Sequence, residues 1–268
     1  AHAGHILRTA RNAFVRAWSD GRLGPAPETG PTRKYYRRLS RYAAAFALAS
    51  DGALLSMGGS LKRKEMLSGR FGDILSELYL LSAVLKRWEE EGRQEADLPL
   101  VDYLMAEGFL TIEQRLQEIL DNFPSRPVAW LMQIFVLPFG VVRRGPSDRV
   151  RRACARILLE PSAARDRLTE GVYLGQADEA VAQLEHALEL VIRTEPIRDQ
   201  LKSLKIRDPK AALDKGALSL SDYEALMAAE AAVQAVVAVD DFAPEELAEA
   251  HSGRRRDEVP ARRVEAAE

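Results

Sequence analysis

An all-α fold is predicted for this 268-residue chain by three observations: apolar residues recur at steps of three and four, strand-like alternation is absent, and Gly/Pro clusters punctuate the helical runs. Hydrophobic residues make up 47% and charged residues 29%, with Ala and Leu heavily used, which suits a helical protein long enough to bury a real core. The clearest element begins at Phe71, where Ile74, Leu78, Leu81, Leu85 and Trp88 form one apolar stripe and Glu77, Lys86 and Arg87 lie off it. Ahead of it, Ile6, Leu7, Ala10, Phe14 and Trp18 mark a first helix that stops in the linker "SDGRLGPAPETGP", around residues 19–31. A second helix runs from Thr32 to about Met57, with Tyr36, Leu39, Ala43, Phe46, Ala47 and Ser50 along one side, and "MGGS" ends it.

Gly92 stands where the C-terminus of the Phe71 helix is expected. The next helix spans Leu98 to Phe123, with Leu104, Leu110, Leu116 and Leu120 facing inward. Ser147-Asp148 behind Pro146 reads as a helix N-cap. Val181, Leu184, Leu188 and Val191 mark a further helix, and Ser221 with Glu224 reads as the capping box of an Ala-rich one. The expected architecture is a helical bundle with short Gly/Pro-containing connections: a main bundle over residues 1–160, a smaller helical extension over 161–250, and a mobile tail over 251–268.

The formal charge of -2 conceals a pattern. Residues 1–70 carry thirteen Lys/Arg against four Asp/Glu, residues 71–122 four against twelve, and residues 123–160 seven against two. Blocks of opposite sign favour docking onto something large over a uniform nucleic-acid-binding face, so no nucleic-acid partner is expected. Cys154 is the only cysteine, which excludes a disulfide framework and a Cys-based metal site and fits a reducing compartment. The chain opens without an initiating Met and already in helical rhythm, as a piece of a longer protein would. The apolar run Val128–Val142 is too short to span a bilayer and holds Gln133, Pro138 and Gly140.

Candidate sites are few. The stretch "MGGSLKRKEMLSGRFGD" resembles a phosphate cradle, but Gly58, Gly59, Ser60 and Lys62 do not have Walker spacing and no strand precedes them. It reads better as a corner between helices, with Gly59 supplying a permissive backbone and Ser60 capping the next turn. The basic knot Lys62, Arg63 and Lys64 just after it suits contact with anions or a membrane surface. Trp130, Phe135 and Phe139 followed by Arg143 and Arg144 are the mixture that suits a membrane interface; a buried helix is the favoured reading of the same run. His2 and His5 sit at helical spacing without a third ligand, and His186 and His251 stand alone. The carboxylates of "EEEGRQEAD" read as hydrated surface. No catalytic, cofactor-binding or metal-ligating residue is assigned to this chain.

Thr32–Leu100, Asn122–Gly140 and Val239–Leu247 closely resemble the C-terminal region of the bacterial fatty-acid-degradation acyl-coenzyme A dehydrogenase, most specifically in "GGSLKR", "GDILS" and "EEGRQEADLPLV". More distantly, "GRFGDILSELYLLSAVLKR" resembles the extra C-terminal helical domain of very-long-chain acyl-coenzyme A dehydrogenases. The resemblance implies a parent enzyme that uses FAD and a catalytic glutamate to remove hydrogens across the α and β carbons of an acyl thioester. It also implies transfer of electrons to an electron-transfer flavoprotein, a homodimer, and a location on the cytoplasmic side in association with the inner membrane. In that family the glutamate and main flavin motifs precede the region seen here, so this segment is expected to bind no FAD and to serve packing or membrane docking. The Arg70-Phe71-Gly72 triplet is a collapsed likeness of the family's flavin-contacting motif, and no role is carried onto it.

Overall fold

The structure is a computed structural model that describes residues 2–27, 29–159 and 161–238. The segment 239–247, His251, the tail 251–268 and the side chain of His2 lie outside the described residues. Among the described residues there are ten α-helices and no strand, in two compact units that meet in sequence at Glu170–Gly171. The first unit holds α1 (His2–Trp18), α2 (Arg33–Met57), α3 (Glu65–Glu90), α4 (Leu98–Asp121), α5 (Arg126–Val136), α6 (Asp148–Leu159) and α7 (Ala163–Thr169). The second holds α8 (Ala180–Ser203), α9 (Pro209–Asp214) and α10 (Leu220–Val237).

The first unit is organised by α3 lying along α4 and by α2 packing against α1, α3 and α5. The stripe read from the sequence on α3 is buried in full, with Leu67 and Phe71 extending it one turn earlier because the helix begins at Glu65. On α4 the inner face is Val101, Met105, Phe109, Ile112, Leu116 and Ile119. Leu104 and Leu110 therefore do not face inward as expected; Leu104 is exposed and Leu110 half-buried, since six-residue steps walk around a helix of 3.6 residues per turn. Gly108 lets α3 and α4 approach, because a Cβ there would sit 2.9 Å from Leu81.

Helices α1 and α2 differ more from expectation. Ala13 and Ala17 are the buried face of α1, with Thr9 beside them, and Tyr42, Ala45, Ala49 and Ala53 that of α2. The large residues expected to lead inward sit on the flanks: Leu7 and Trp18 are exposed, and Tyr36, Leu39 and Phe46 are half-buried against the core. Ala43 and Ala47 are exposed. Small side chains occupy the line of closest approach, and bulky ones cover its sides. The Arg33–Arg63 stretch has an apolar window with a mean hydropathy of 1.2, long enough by length and composition to cross a membrane. Its Tyr42, Ala45, Ala49 and Ala53 are used in the protein core.

The corners are specific. Between α1 and α2, Asp20 and Gly21 take φ values of 49° and 76°, and a Cβ on Gly21 would lie 2.6 Å from the Arg37 carbonyl oxygen. Gly21→Ala is expected to lower stability by about 1–3 kcal/mol in urea melts, through backbone strain and this clash. At the end of α2 it is Gly58, with φ 51°, that takes the left-handed conformation rather than Gly59, and the following 3-10 turn runs Gly58–Arg63. Ser60 does not cap the next helix; its hydroxyl donates back to the Met57 carbonyl at 2.7 Å. Ser147 does accept the Val150 N–H, at 3.4 Å, at the start of α6. The Cys154 thiol on that helix donates to the Pro99 carbonyl, and burial pushes its pKa up.

In the second unit α8 lies along α10, and Leu201, Ala212, Leu218 and Leu226 form a small core. Ala187, Thr194 and Leu201 are the buried residues of α8. Val181 and Leu184 are exposed, whereas Leu188 and Val191 are half-buried and, with Leu184, line a cleft against Val233, Val236 and Val237 of α10. The N-cap of α10 is Ser219 rather than Ser221: its hydroxyl accepts the Asp222 N–H at 3.1 Å, because the helix starts two residues earlier than the capping-box reading placed it.

Candidate functional site

Steps of three and four bring Tyr35, Arg38 and Tyr42 onto one side of α2, and steps of four, three and four bring Asp102, Ala106, Phe109 and Glu113 onto one side of α4. Tyr35 and Tyr42 face Phe109, with ring centroids 6.3 and 5.2 Å away. The strap after α5, residues 137–147, crosses this junction. Glu113 is fully buried, and its carboxylate accepts the Tyr42 hydroxyl at 2.7 Å and the backbone N–H groups of Val142 at 2.8 Å and Arg143 at 2.7 Å.

Two guanidinium groups complete the network. Arg41, only 2% exposed, donates to Asp20 at 2.7 Å and to the Tyr42 oxygen at 3.2 Å. Arg143 donates from Nε to the Tyr42 oxygen at 2.9 Å and from Nη2 to Asp20. Burial pushes the Tyr42 phenol well above its usual range despite the opposing pull of Arg41, so it stays a donor to Glu113. Burial works against the Arg143 charge, but Tyr42, Asp20 and Glu113 outweigh it and hold its pKa above the ordinary arginine value. Tyr35, raised by burial and by its hydrogen bond to Asp102, is likewise held protonated.

Beside this network is a cleft of about 200 Å³ lined by Tyr35, Arg38, Ala106, Phe109, Val142, Arg143 and Arg144. Around the corner, α1 and α5 carry an aromatic chain: Phe14 lies 5.5 Å from Trp18 and 5.4 Å from Phe135, and Trp18 meets Phe139 edge-on at 5.4 Å. The Trp18 indole N–H donates to the Ile134 carbonyl at 3.1 Å and fixes α1 on α5. Much of this face is uncovered, with Trp18 50%, Phe139 57% and Trp130 71% exposed.

The residues singled out in the sequence therefore separate. Phe135 packs partly into the core, Trp130 and Phe139 are exposed, and Arg144 is exposed on the strap. Arg143 is committed to the internal network. Lys62, Arg63 and Lys64 are exposed beyond the far end of α2, where Arg63 and Lys64 border an open hollow with Arg70 and Asn122. The length of α2 sets them roughly 30 Å from Arg38. Arg70 is paired with Glu118 at 3.0 Å, and Phe71 packs edge-on against Phe46. His5 lies 3.4 Å from Asp51, and His186 is exposed on α8. In the acidic stretch, Glu89, Glu91 and Asp97 pair with Arg93, Arg87 and Arg167.

Sequence reasoning missed Arg41, Tyr42, Glu113 and Arg38. A signal was present: Glu113 falls in register with Phe109, Leu116 and Leu120, which marks a carboxylate on an inward stripe.

A flavin does not fit these residues. The 200 Å³ cleft is below the roughly 300–1,000 Å³ of cofactor-sized sites. Of the larger open clefts, the 430 Å³ hollow beside Arg63 and Lys64 and the 520 Å³ one between α8 and α10 have no aromatic wall on which a flavin ring could stack. The 610 Å³ one in the second unit has neither an aromatic wall nor a Lys or Arg in its lining to meet a diphosphate.

Among the described residues these features define an all-α helical module with a buried ion network and an uncovered aromatic corner. The family described as acyl-CoA dehydrogenase, C-terminal, bacterial type matches residues 1–242, and the chain belongs to it. No solved structure matches the chain.

Proposed function

We propose that this segment is the accessory C-terminal helical domain of an FAD-dependent acyl-CoA dehydrogenase. In this reading the parent enzyme converts acyl-CoA to trans-2-enoyl-CoA, the first step of fatty acid β-oxidation, and passes electrons to an electron-transfer flavoprotein on the cytoplasmic side of the inner membrane. The catalytic glutamate and the FAD belong to the N-terminal part of the same protein, and this segment supports subunit packing in a homodimer. Membership of the C-terminal domain family supports the parentage. The observation that carries the docking role is the aromatic corner of α1 and α5. Four large side chains there, Trp18, Trp130, Leu131 and Phe139, are half or more exposed, and an apolar patch of this kind marks an interaction surface.

The test adds the purified segment to the separately expressed N-terminal catalytic part and follows both by size-exclusion chromatography. The expected result is a colourless segment that co-elutes with the catalytic part, and loss of co-elution in the Trp130→Ser, Phe139→Ser variant. A segment that purifies yellow and oxidises acyl-CoA unaided would overturn the reading. The rival is a peripheral membrane module, favoured by the exposure of the aromatic Trp130 and Phe139 together with the basic Arg144. It predicts a segment that ignores the catalytic part and sediments with anionic vesicles at low salt.

A further inference from the structure

The geometry points to a phosphate-binding site in the cleft between α2, α4 and the strap after α5, with Arg38 and Arg144 as the two guanidinium groups that hold the anion. This inference goes beyond the docking role and does not depend on it. Arg38 is half-buried on the Tyr35–Tyr42 side of α2, Arg144 stands on the strap, and both line the 200 Å³ cleft with Phe109 and Tyr35. Neither makes an ion pair or a hydrogen bond with any described residue, and every nearby carboxylate is engaged elsewhere. Asp102 is held by the Tyr35 hydroxyl and lies 3.7 Å from Lys34. Asp20 is held by Arg41 and Arg143. Glu113 is held by Tyr42 and two backbone N–H groups, and Glu107, whose carboxylate reaches the strap at Gly145, lies 4.0 Å from Arg151.

The charge balance identifies the ligand class. Lys34, Arg38, Arg41, Arg143, Arg144 and Arg151 face Asp20, Asp102, Glu107 and Glu113, which leaves two positive charges. Arg38, half-buried without a hydrogen-bond partner, has lost hydration that an oxyanion would replace, and the exposed Arg144 can close on the same anion from the strap. A phosphate dianion matches the surplus, whereas one carboxylate neutralises half of it. Guanidinium forks present paired N–H donors to phosphate oxygens, and two forks on separate elements can grip different edges of a tetrahedral group. The cleft admits a head group rather than a whole cofactor, so the phosphate is either the free ion or the terminal phosphate of a small molecule whose remainder lies outside.

Isothermal titration calorimetry of the whole chain, at constant ionic strength, tests this with inorganic phosphate, AMP, adenosine and acetate. Saturable phosphate binding with a Kd below about 5 mM is expected. Adenosine and acetate are expected to give no heat of binding. Arg38→Ala and Arg144→Ala are each expected to weaken phosphate about tenfold or more while leaving the circular dichroism melt unchanged, since neither side chain bonds within the fold. AMP binding more tightly than phosphate assigns the site to a phosphomonoester, and AMP binding equally or more weakly assigns it to the free ion. Absence of saturable phosphate binding, equal binding of acetate, or undiminished phosphate binding in the folded double variant would each overturn the site.

Discussion

Glu113→Ala is expected to lower the stability of the first unit by about 3–5 kcal/mol, because it leaves buried cations without their compensating charge. Arg41 is 2% exposed and its Nε already lacks a partner. Removing the carboxylate also strips acceptors from the Tyr42 hydroxyl and from the N–H groups of Val142 and Arg143, so the strap loses its anchor. Urea denaturation followed by circular dichroism reads the loss as a lower midpoint at unchanged slope. Glu113→Gln keeps an acceptor for those donors and is expected to lose less. Pairing Glu113→Leu with Arg41→Met should recover part of the stability, since apolar replacements of a whole buried ion pair are often tolerated. A loss under about 1 kcal/mol for the alanine variant would mean that solvent reaches the network.

Phe109→Ala is expected to cost about 3–5 kcal/mol, from lost burial and the cavity left behind. The ring is 1% exposed and sits against both Tyr35 and Tyr42. Phe109→Leu, which retains most of the volume, should cost less than about 1.5 kcal/mol. The same urea measurement, with near-ultraviolet circular dichroism of the two tyrosines, checks both; a Phe109→Ala protein as stable as the parent would contradict the packing described. The Phe109 and Glu113 effects should not add, because both act on Tyr42.

The legible parts of the fold were those in which large aliphatic residues occupy the inner positions. Helix α3 is the example: each inward position carries Phe, Ile, Leu or Trp, so hydrophobic periodicity and burial coincide. Helices α1 and α2 were legible as helices but not in their facing. Their inner positions are alanines, whose hydrophobic signal is weak beside the flanking Leu, Phe and Trp. The serine caps show a second limit: Ser219 and Ser221 both have an acidic residue three positions on, and only the start of α10 selects between them. At the site, the exposed Trp130, Phe139 and Arg144 could be named from sequence, whereas the ion network could not. Arg41 and Glu113 look like solvated charges until α2, α4 and the strap are assembled around them. Arg143 was named for the wrong environment, since nothing local distinguishes it from Arg144.

The Asp20–Arg143 contact joins positions 123 residues apart. Helices α3 and α4 meet through near neighbours in sequence and can pair early, whereas this clasp closes only after α2 and α4 have met and the strap has returned across them. Contacts that form after the rate-limiting step govern how fast a folded chain opens rather than how fast it assembles. The polar knot is therefore expected to act as a latch on the lifetime of the folded unit: Asp20→Ala should speed unfolding in stopped-flow urea jumps while leaving the refolding rate nearly unchanged.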